Sequence, residues 1–315
     1  FAAFAEHPID VGVIEVGMGG EWDATNVIDA DVSVIMPIGL DHMEYLGNTL
    51  TEIAKTKGGI LKPGGFGVLA QQESEAAIEL LRRAAEVGID LAREGVEYSL
   101  ASRAVAVGGQ LISISGLNES FDDIFLPLHG KHQAANAATA LVAVEAFFGD
   151  QELDYEAVLA GFANVQSPGR CEVLHRDPTI IIDAAHNPHG ARAITETIQN
   201  EFTFDEVIGV VAAMGDKDVQ GALVEFEKVM DSVIVTKNSS SRSMPVDEIE
   251  KIATSIFGAD RVFAADNLEE AIEKAIKDSV RPLSEDTLGI LITGSVVTVG
   301  EARTIVRKRF AKEGA

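Results

Sequence analysis

Short apolar, β-branched runs alternate with amphipathic stretches along nearly the whole chain, the pattern of an α/β protein built on mainly parallel sheets. In the first half the runs VGVIEV (11–16), VSVIMPI (32–38) and FGVLA (66–70) predict strands. Helical spacing predicts helices over 50–61 and 73–87. Between 95 and 125 the pattern changes to YSL, AVAV and LISISGL, short runs separated by Gly and Ser that predict antiparallel hairpins. An alanine-rich stretch then predicts a long helix over 131–148, followed by a second over 154–164. The Ser, Pro and Gly of VQSPGR (165–170) mark a linker. After it the alternation restarts with TIIID, VIGVVAAM, SVIVT, RVFAA and LGILIT, each followed by a helical stretch. The expected organisation is two α/β domains, 1–166 and 167–315, the second a doubly wound, Rossmann-like unit.

A length of 315 residues suits two domains, and 46% hydrophobic residues suffice for a sizeable core in each. Acidic residues outnumber basic ones 50 to 25, for a formal charge of -25. This argues against nucleic acid or an anionic membrane as partner, and leaves room for one local anion site. The single cysteine, Cys171, excludes an internal disulfide framework and a multi-cysteine zinc site, and points to a reducing, cytoplasmic compartment. No run of about eighteen apolar residues occurs, so no membrane span is expected. Phe1 lies inside FAAFAEHPID, which reads as the end of a helix, and the expectation is that the chain begins partway through a longer protein.

Three stretches carry candidate chemistry. In VIEVGMGGEWDATN (13–26) an apolar run holds Glu15 just before a glycine cluster. A lone ionised carboxylate in apolar surroundings is unfavourable by roughly several kcal/mol, so a cation or donors should accompany it. The glycines alone fit a tight turn as well as a ligand loop, because GxGG is not the dinucleotide pattern GxGxxG. In IGLDHMEYLGNTL (38–50), Asp41 and His42 follow the next strand. If that strand neighbours the first, Glu15 and His42 face one crevice, and Glu, His and water are ligands for magnesium or manganese; a plain surface histidine is the alternative. IAKTKGGILKPGG (53–65) puts Lys55, Lys57 and Lys62 on or just after a helix, and Lys55 and Lys62 are read as solvated. A lysine ammonium is a donor only and binds no metal.

EVGMGGEWDATN, GLDHMEYLG, IAKTKGGILKPG, GKHQAANAATAL, PGRCEV, DAAHNP and ITGS occur here in the order and spacing of folylpolyglutamate synthase and dihydrofolate synthase. The chain therefore resembles these members of the Mur ligase superfamily over nearly its full length. The resemblance implies a P-loop NTPase-like Mur ligase central domain, incomplete at its N-terminus, and a Rossmann-like C-terminal domain that binds glutamate. It implies an ATP-dependent ligase that adds L-glutamate to dihydropteroate or tetrahydrofolate through an acyl phosphate. Glu15 would then bridge two Mg2+ ions, His42 would bind the second, and Lys57 would be the lysine that becomes carbamylated, an anionic oxygen ligand. Lys57, His42 and Arg170 would serve the reaction itself.

By the same resemblance Asn136 lies at the adenine, and His132, four residues earlier on the same helix face, is a scaffold for the phosphate loop or a contact. Arg170 would reach the ATP phosphates, an interdomain salt bridge being the alternative. Asp183 and His186 belong where nucleotide and glutamate meet, although Asp183 could also cap the helix that Pro188 starts. Ser295, at a helix N-terminus, would take the glutamate. Two departures stand out: Glu21, where many relatives have Arg, and Val296-Val297, where many have Leu-Tyr. Cys171 is read as a strand residue, His189 as surface, Trp22 as packing or lining the pterin side, and DKD (216–218) as a loop.

One part of the family pattern is missing, because no GxxxxGK[ST] occurs in the sequence. The expectation is therefore an inactive piece of a folate ligase, monomeric like its family, whose partners are ATP, L-glutamate and a pterin or folate. The alternatives are a Mur-type ligase acting on a cell-wall precursor and a non-catalytic binding module. The HQ of GKHQAAN leans toward folate.

Overall fold

The computed structural model describes residues 1–7, 9–279 and 287–311. The chain divides into two compact units: Phe1–Ala101 with Ile114–Phe121 and Ala135–Asp154, and Ser102–Ser113 with Asp122–Ala134 and Tyr155–Ala315. Among the described residues no helix is long and apolar enough to cross a membrane.

In the first unit a short helix α1 (Ala2–Glu6) and a 3-10 turn (Ala24–Val27) precede β1 (Val32–Ile35), α2 (Met43–Leu46), α3 (Leu50–Gly58), β2 (Phe66–Leu69), α4 (Ser74–Val87) and β3 (Leu91–Arg93). The strands form a parallel sheet in the order β1-β2-β3, with Val32 opposite Phe66 and Gly67 opposite Leu91. A capping box starts α3: Thr49 Oγ1 accepts the Glu52 N–H at 3.2 Å, and the Glu52 carboxylate accepts the Thr49 N–H at 3.1 Å. Ile35, Ile53, Leu61 and Leu80 then close a small core between sheet and helices.

The run VGVIEV, expected as a strand, has no regular structure. Its composition suits a strand, but a strand also needs neighbouring N–H and C=O groups, and β1 pairs only with β2 among the described strands. Val13 accordingly stands 97% exposed.

A separate three-stranded sheet has the order β4-β5-β6, from Ser99–Ala106, Gly109–Ser115 and Ser120–Leu126. YSL and AVAV, expected as separate runs, lie mostly in the single strand β4, and β6 (SFDDIFL) was not expected, since its Asp pair interrupts the apolar alternation. Helices α5 (Lys131–Phe148) and α6 (Tyr155–Ala163) fall where their patterns put them.

The second unit carries a six-stranded sheet in the order β11-β10-β9-β12-β8-β7. Its elements run β7 (Glu172–Arg176), β8 (Thr179–Asp183), α7 (Pro188–Glu201), β9 (Glu206–Val211), α8 (Val219–Phe226), β10 (Ser232–Val235), α9 (Val246–Phe257), β11 (Val262–Ala264), α10 (Leu268–Ser279), β12 (Leu288–Thr293) and α11 (Val296–Phe310). Only β7 is antiparallel to its neighbour. All six residues of β12 are buried, as expected for a central parallel strand covered on both faces. Ile181 and Leu291 pack with α7, α8 and α9 on one face, and Ile182 and Ile290 with α10 and α11 on the other. In the registers Thr293 lies opposite Asp183 on one side and Val211 on the other, so these strands end level.

Cys171 is not a strand residue. It is buried just before β7 with φ 44°, in the left-handed region, where the chain turns into the sheet edge.

Candidate functional site

The glycine-rich loop of the first unit is built by its own motif. Asp23 accepts the N–H of Met18 at 2.8 Å, the N–H of Thr25 at 2.9 Å and the Thr25 hydroxyl at 2.7 Å. These donors, the Thr25 hydroxyl first, hold its carboxyl down at about 2. Asn26 donates its side-chain amide to the carbonyls of Glu21 at 3.1 Å and Gly59 at 3.3 Å. Gly20 lies so close to the end of α3 that a Cβ there would sit 2.8 Å from the Thr56 carbonyl oxygen and 2.9 Å from that of Lys57. Trp22, in the same loop, is 65% exposed.

Lys62 corrects its expectation. Its ammonium donates to the carbonyls of Asn26 and Ile28, each at 2.7 Å, and reaches Asp29 at 3.2 Å. A loop turning away from hydrogen-bonded structure leaves carbonyls without partners, and a lysine is the donor that collects several at once.

Glu15 lies on the irregular segment before this loop, exposed, and its carboxylate has no hydrogen bond or ion pair among the described residues. His42 is exposed with φ 51° at the start of α2, its Nε2 3.9 Å from the Asp41 carboxylate. Lys57 sits half-buried in the last turn of α3, and its ammonium has no side-chain partner among the described residues. Among the described residues no group of three or more His, Cys, Asp and Glu is gathered as a metal cage. Of these three side chains, the unpaired Glu15 carboxylate and the accessible His42 imidazole are donor types that suit a hard divalent ion keeping several waters, whereas Lys57 as an ammonium is not.

In the second unit the level carboxyl ends of β8 and β12 hold the other candidates. Asp183 Oδ2 accepts the Cys171 N–H and Oδ1 accepts the Ala185 N–H, both at 2.8 Å. Burial pushes the Asp183 carboxyl up, while these two N–H groups, Arg170 and His186 pull against it. Asp183 does not cap the helix that follows. Asn187 does, accepting the Gly190 N–H at 2.8 Å with Pro188 in the first turn. The Asp183 carboxylate instead fixes the turn that carries His186.

His186 Nδ1 is 3.0 Å from the Ala184 carbonyl oxygen, which can only accept, so Nδ1 is the donor and the acceptor position of the neutral tautomer is Nε2. Arg170 is exposed after a turn in which its N–H meets the Ser167 carbonyl at 3.1 Å. Ser295 is buried and caps α11: its hydroxyl accepts the Thr298 N–H at 3.0 Å and meets Thr298 Oγ1 at 2.8 Å and the Asn238 amide at 3.2 Å. The DKD loop divides its work, Asp216 pairing with Arg242 at 2.6 Å and Asp218 capping α8 through the Gly221 N–H at 2.8 Å. His189 is exposed as expected.

His132 and Asn136 lie in the first turns of α5, each half-buried. The His132 pKa is lowered chiefly by burial, with Arg170, His189 and Arg103 adding to it and Glu201 opposing. Sequence reasoning missed two groups here. Asn238 donates to both Ser295 and Thr298, and Glu201 collects Arg103, His129 and the Gly130 N–H. Nothing local flags either one, because their partners lie 57 to 98 residues away in sequence.

Residues 1–144 match the model of the Mur ligase middle domain, and residues 169–296 that of the Mur ligase glutamate ligase domain. A dihydrofolate synthase/folylpolyglutamate synthase of Mycobacterium tuberculosis is 47% identical over 97% of this chain and 66% of its own length. One of Escherichia coli is 30% identical over 97% of this chain and 67% of its own. The structure of Mycobacterium tuberculosis folylpolyglutamate synthase complexed with ADP and AMPPCP superposes with a TM-score of 0.92 at 47% identity, over 97% of this chain and 70% of that one. The chain thus spans about two thirds of the length of these relatives.

Proposed function

Because the chain belongs to the Mur ligase family, among the folylpolyglutamate and dihydrofolate synthases, we propose that the protein uses ATP to join L-glutamate to the carboxylate of dihydropteroate or tetrahydrofolate. In this reaction the terminal phosphoryl group passes to the acceptor carboxylate, giving ADP and an acyl phosphate. The glutamate amine then attacks the acyl carbon, and phosphate leaves as the amide forms. Such chemistry needs positioned partners and stabilised anions more than covalent help from the protein.

The observation that carries the reading is at the carboxyl ends of β8 and β12, where the Asp183 carboxylate takes the N–H groups of Cys171, which follows Arg170, and of Ala185, which precedes His186, with α11 starting just after β12. Arg170 has the planar, permanently charged fork that suits phosphate oxygens. His186 Nε2 is free to take the proton that the glutamate ammonium must lose before it attacks. Asp183 orients the turn that holds His186, and the N–H groups at the start of α11, ordered by the Ser295 cap, suit a glutamate carboxylate. Asn136 is assigned to the adenine by resemblance.

In the first unit Glu15 and His42 are the proposed Mg2+ ligands, with Lys57 joining them as a carbamate. The metal supplies charge neutralisation at the phosphate oxygens. Lys57, half-buried with no acidic partner among the described residues, is suited to such a modification, in which its neutral amine would add carbon dioxide, release a proton and become an anionic carbamate. The sequence holds no GxxxxGK[ST], so the activity is proposed for a protein in which a phosphate loop accompanies these residues. A monomer acting in the cytoplasm completes the reading.

The test is L-glutamate-dependent phosphate release from ATP, with dihydropteroate and tetrahydrofolate offered separately, on this chain and on one extended N-terminally by a phosphate-loop segment. Turnover with either acceptor supports the ligase, and the preferred acceptor names it. No turnover in either chain with magnesium present removes the reading in favour of another Mur-type substrate or a non-catalytic module.

A further inference from the structure

A buried ionic hub in the second unit has no part in the chemistry above. Glu201 is the last residue of α7, and its side chain is 1% exposed. Its Oε1 accepts the Gly130 N–H at 2.9 Å and the Arg103 guanidinium, and its Oε2 faces His129 Nδ1 at 3.1 Å. Arg103 also donates to Gln110 Oε1, and the Gln110 amide donates to the carbonyls of Leu128 at 2.8 Å and Gly130 at 3.1 Å. These bonds converge on Leu128–Gly130, the three residues before α5.

Stability alone is a poor reason for this arrangement. The carboxyl end of a helix carries partial negative charge, so an acid in the last turn of α7 is at the unfavourable pole. Burying an ion pair also sacrifices hydration that its attraction does no more than balance. What the hub supplies instead is placement. Gly130 has φ 101°, and a Cβ there would meet His132 Cε1 at 2.5 Å and Thr197 Oγ1 at 2.9 Å, so the loop is pressed between α7 and the His132 ring. Four residues after His132, one turn further along α5, comes Asn136, the residue assigned to the adenine by resemblance.

We propose that Glu201 is a positioning residue for the nucleotide: by clamping Leu128–Gly130 to the end of α7 it fixes the start of α5 and the His132 ring, one helical turn before Asn136. This inference rests on the ATP reading above. Glu201 touches no reacting atom. It acts through the loop, so its loss should be felt by ATP and not by glutamate.

The experiment compares wild type, Glu201→Gln and Glu201→Asp in the chain that carries the phosphate loop, reading ADP affinity by calorimetry, KM for ATP and for L-glutamate, and Tm. Glu201→Gln leaves Arg103 and His129 facing a neutral amide, and Glu201→Asp keeps the charge but withdraws it by one methylene. The expected result is a loss of about tenfold in ADP affinity with a matching rise in KM for ATP, while KM for L-glutamate stays within about twofold. Should Glu201→Gln fail to fold, Glu201→Asp carries the same test. ADP affinity unchanged in the folded variants, or both KM values rising together, overturns the inference and leaves the ATP reading intact. A wild type that binds no ADP overturns that reading, and the inference with it.

Discussion

Asp183 and Cys171 are joined by a 2.8 Å hydrogen bond from the cysteine N–H to a buried carboxylate oxygen, and the other oxygen takes the Ala185 N–H at the same distance. One aspartate thus ties the entrance of β7 to the exit of β8, and both of its oxygens serve as acceptors.

Asp183→Asn tests that division. An amide has one acceptor oxygen, so its NH2 must face either the Cys171 or the Ala185 N–H, donor against donor in a buried place. The expected cost is about 1–3 kcal/mol of unfolding free energy, measured by chemical denaturation. A loss below about 0.5 kcal/mol means that the two N–H groups do not depend on this carboxylate.

Asp23 makes a prediction about pH. Its folded pKa, about 2, lies below the ordinary aspartate value, so its contribution to the fold is present above the unfolded pKa and is lost as pH falls through about 2. By carboxyl-resolved NMR, Asp23 should remain mostly ionised at about pH 3, below the ordinary aspartate midpoint. Thr25→Ala removes the donor that contributes most and should move the midpoint upward. A wild-type midpoint in the ordinary range contradicts the three-donor cradle.

How legible these features were depended on where each residue's partners lie. LGILIT and the TIII that precedes Asp183 announce inner strands because every residue is apolar or small, and burial on both faces demands that of an inner strand. VGVIEV carries the same signal without the outcome, since side-chain pattern reports suitability for a sheet and not the presence of a neighbouring ladder. DAAHNP offers two short polar side chains four residues apart as caps, and composition does not say that Asn187 takes the helix while Asp183 takes the turn. Lys62 looked solvated because its acceptors are backbone carbonyls more than thirty residues earlier, which no side-chain pattern reveals. The motif residues were recognisable as a set, but Glu201 and Asn238, which brace the surroundings of two of them, carry no motif.

Gly20→Ala tests how the glycine-rich loop sits on α3. The obstacles to a Cβ are the carbonyl oxygens of Thr56 at 2.8 Å and Lys57 at 2.9 Å and the Lys57 Cα at 3.1 Å, all backbone and held in the last turn of a capped helix. Backbone cannot swing aside as a flexible side chain does, so the loop must lift. The Glu21 N–H, which meets the Thr56 carbonyl at 2.9 Å, would lose its partner as it did so. Overpacking plus that lost bond gives an expected destabilisation of about 1–3 kcal/mol, read by denaturant unfolding. Gly39→Ala is the control, because a Cβ there meets nothing within 4 Å, and it should leave stability within about 0.5 kcal/mol of wild type. Equal stability of the two variants would mean that the loop does not rest on α3, and the route by which Lys57 is held beside the glycine cluster would have to be sought in other contacts.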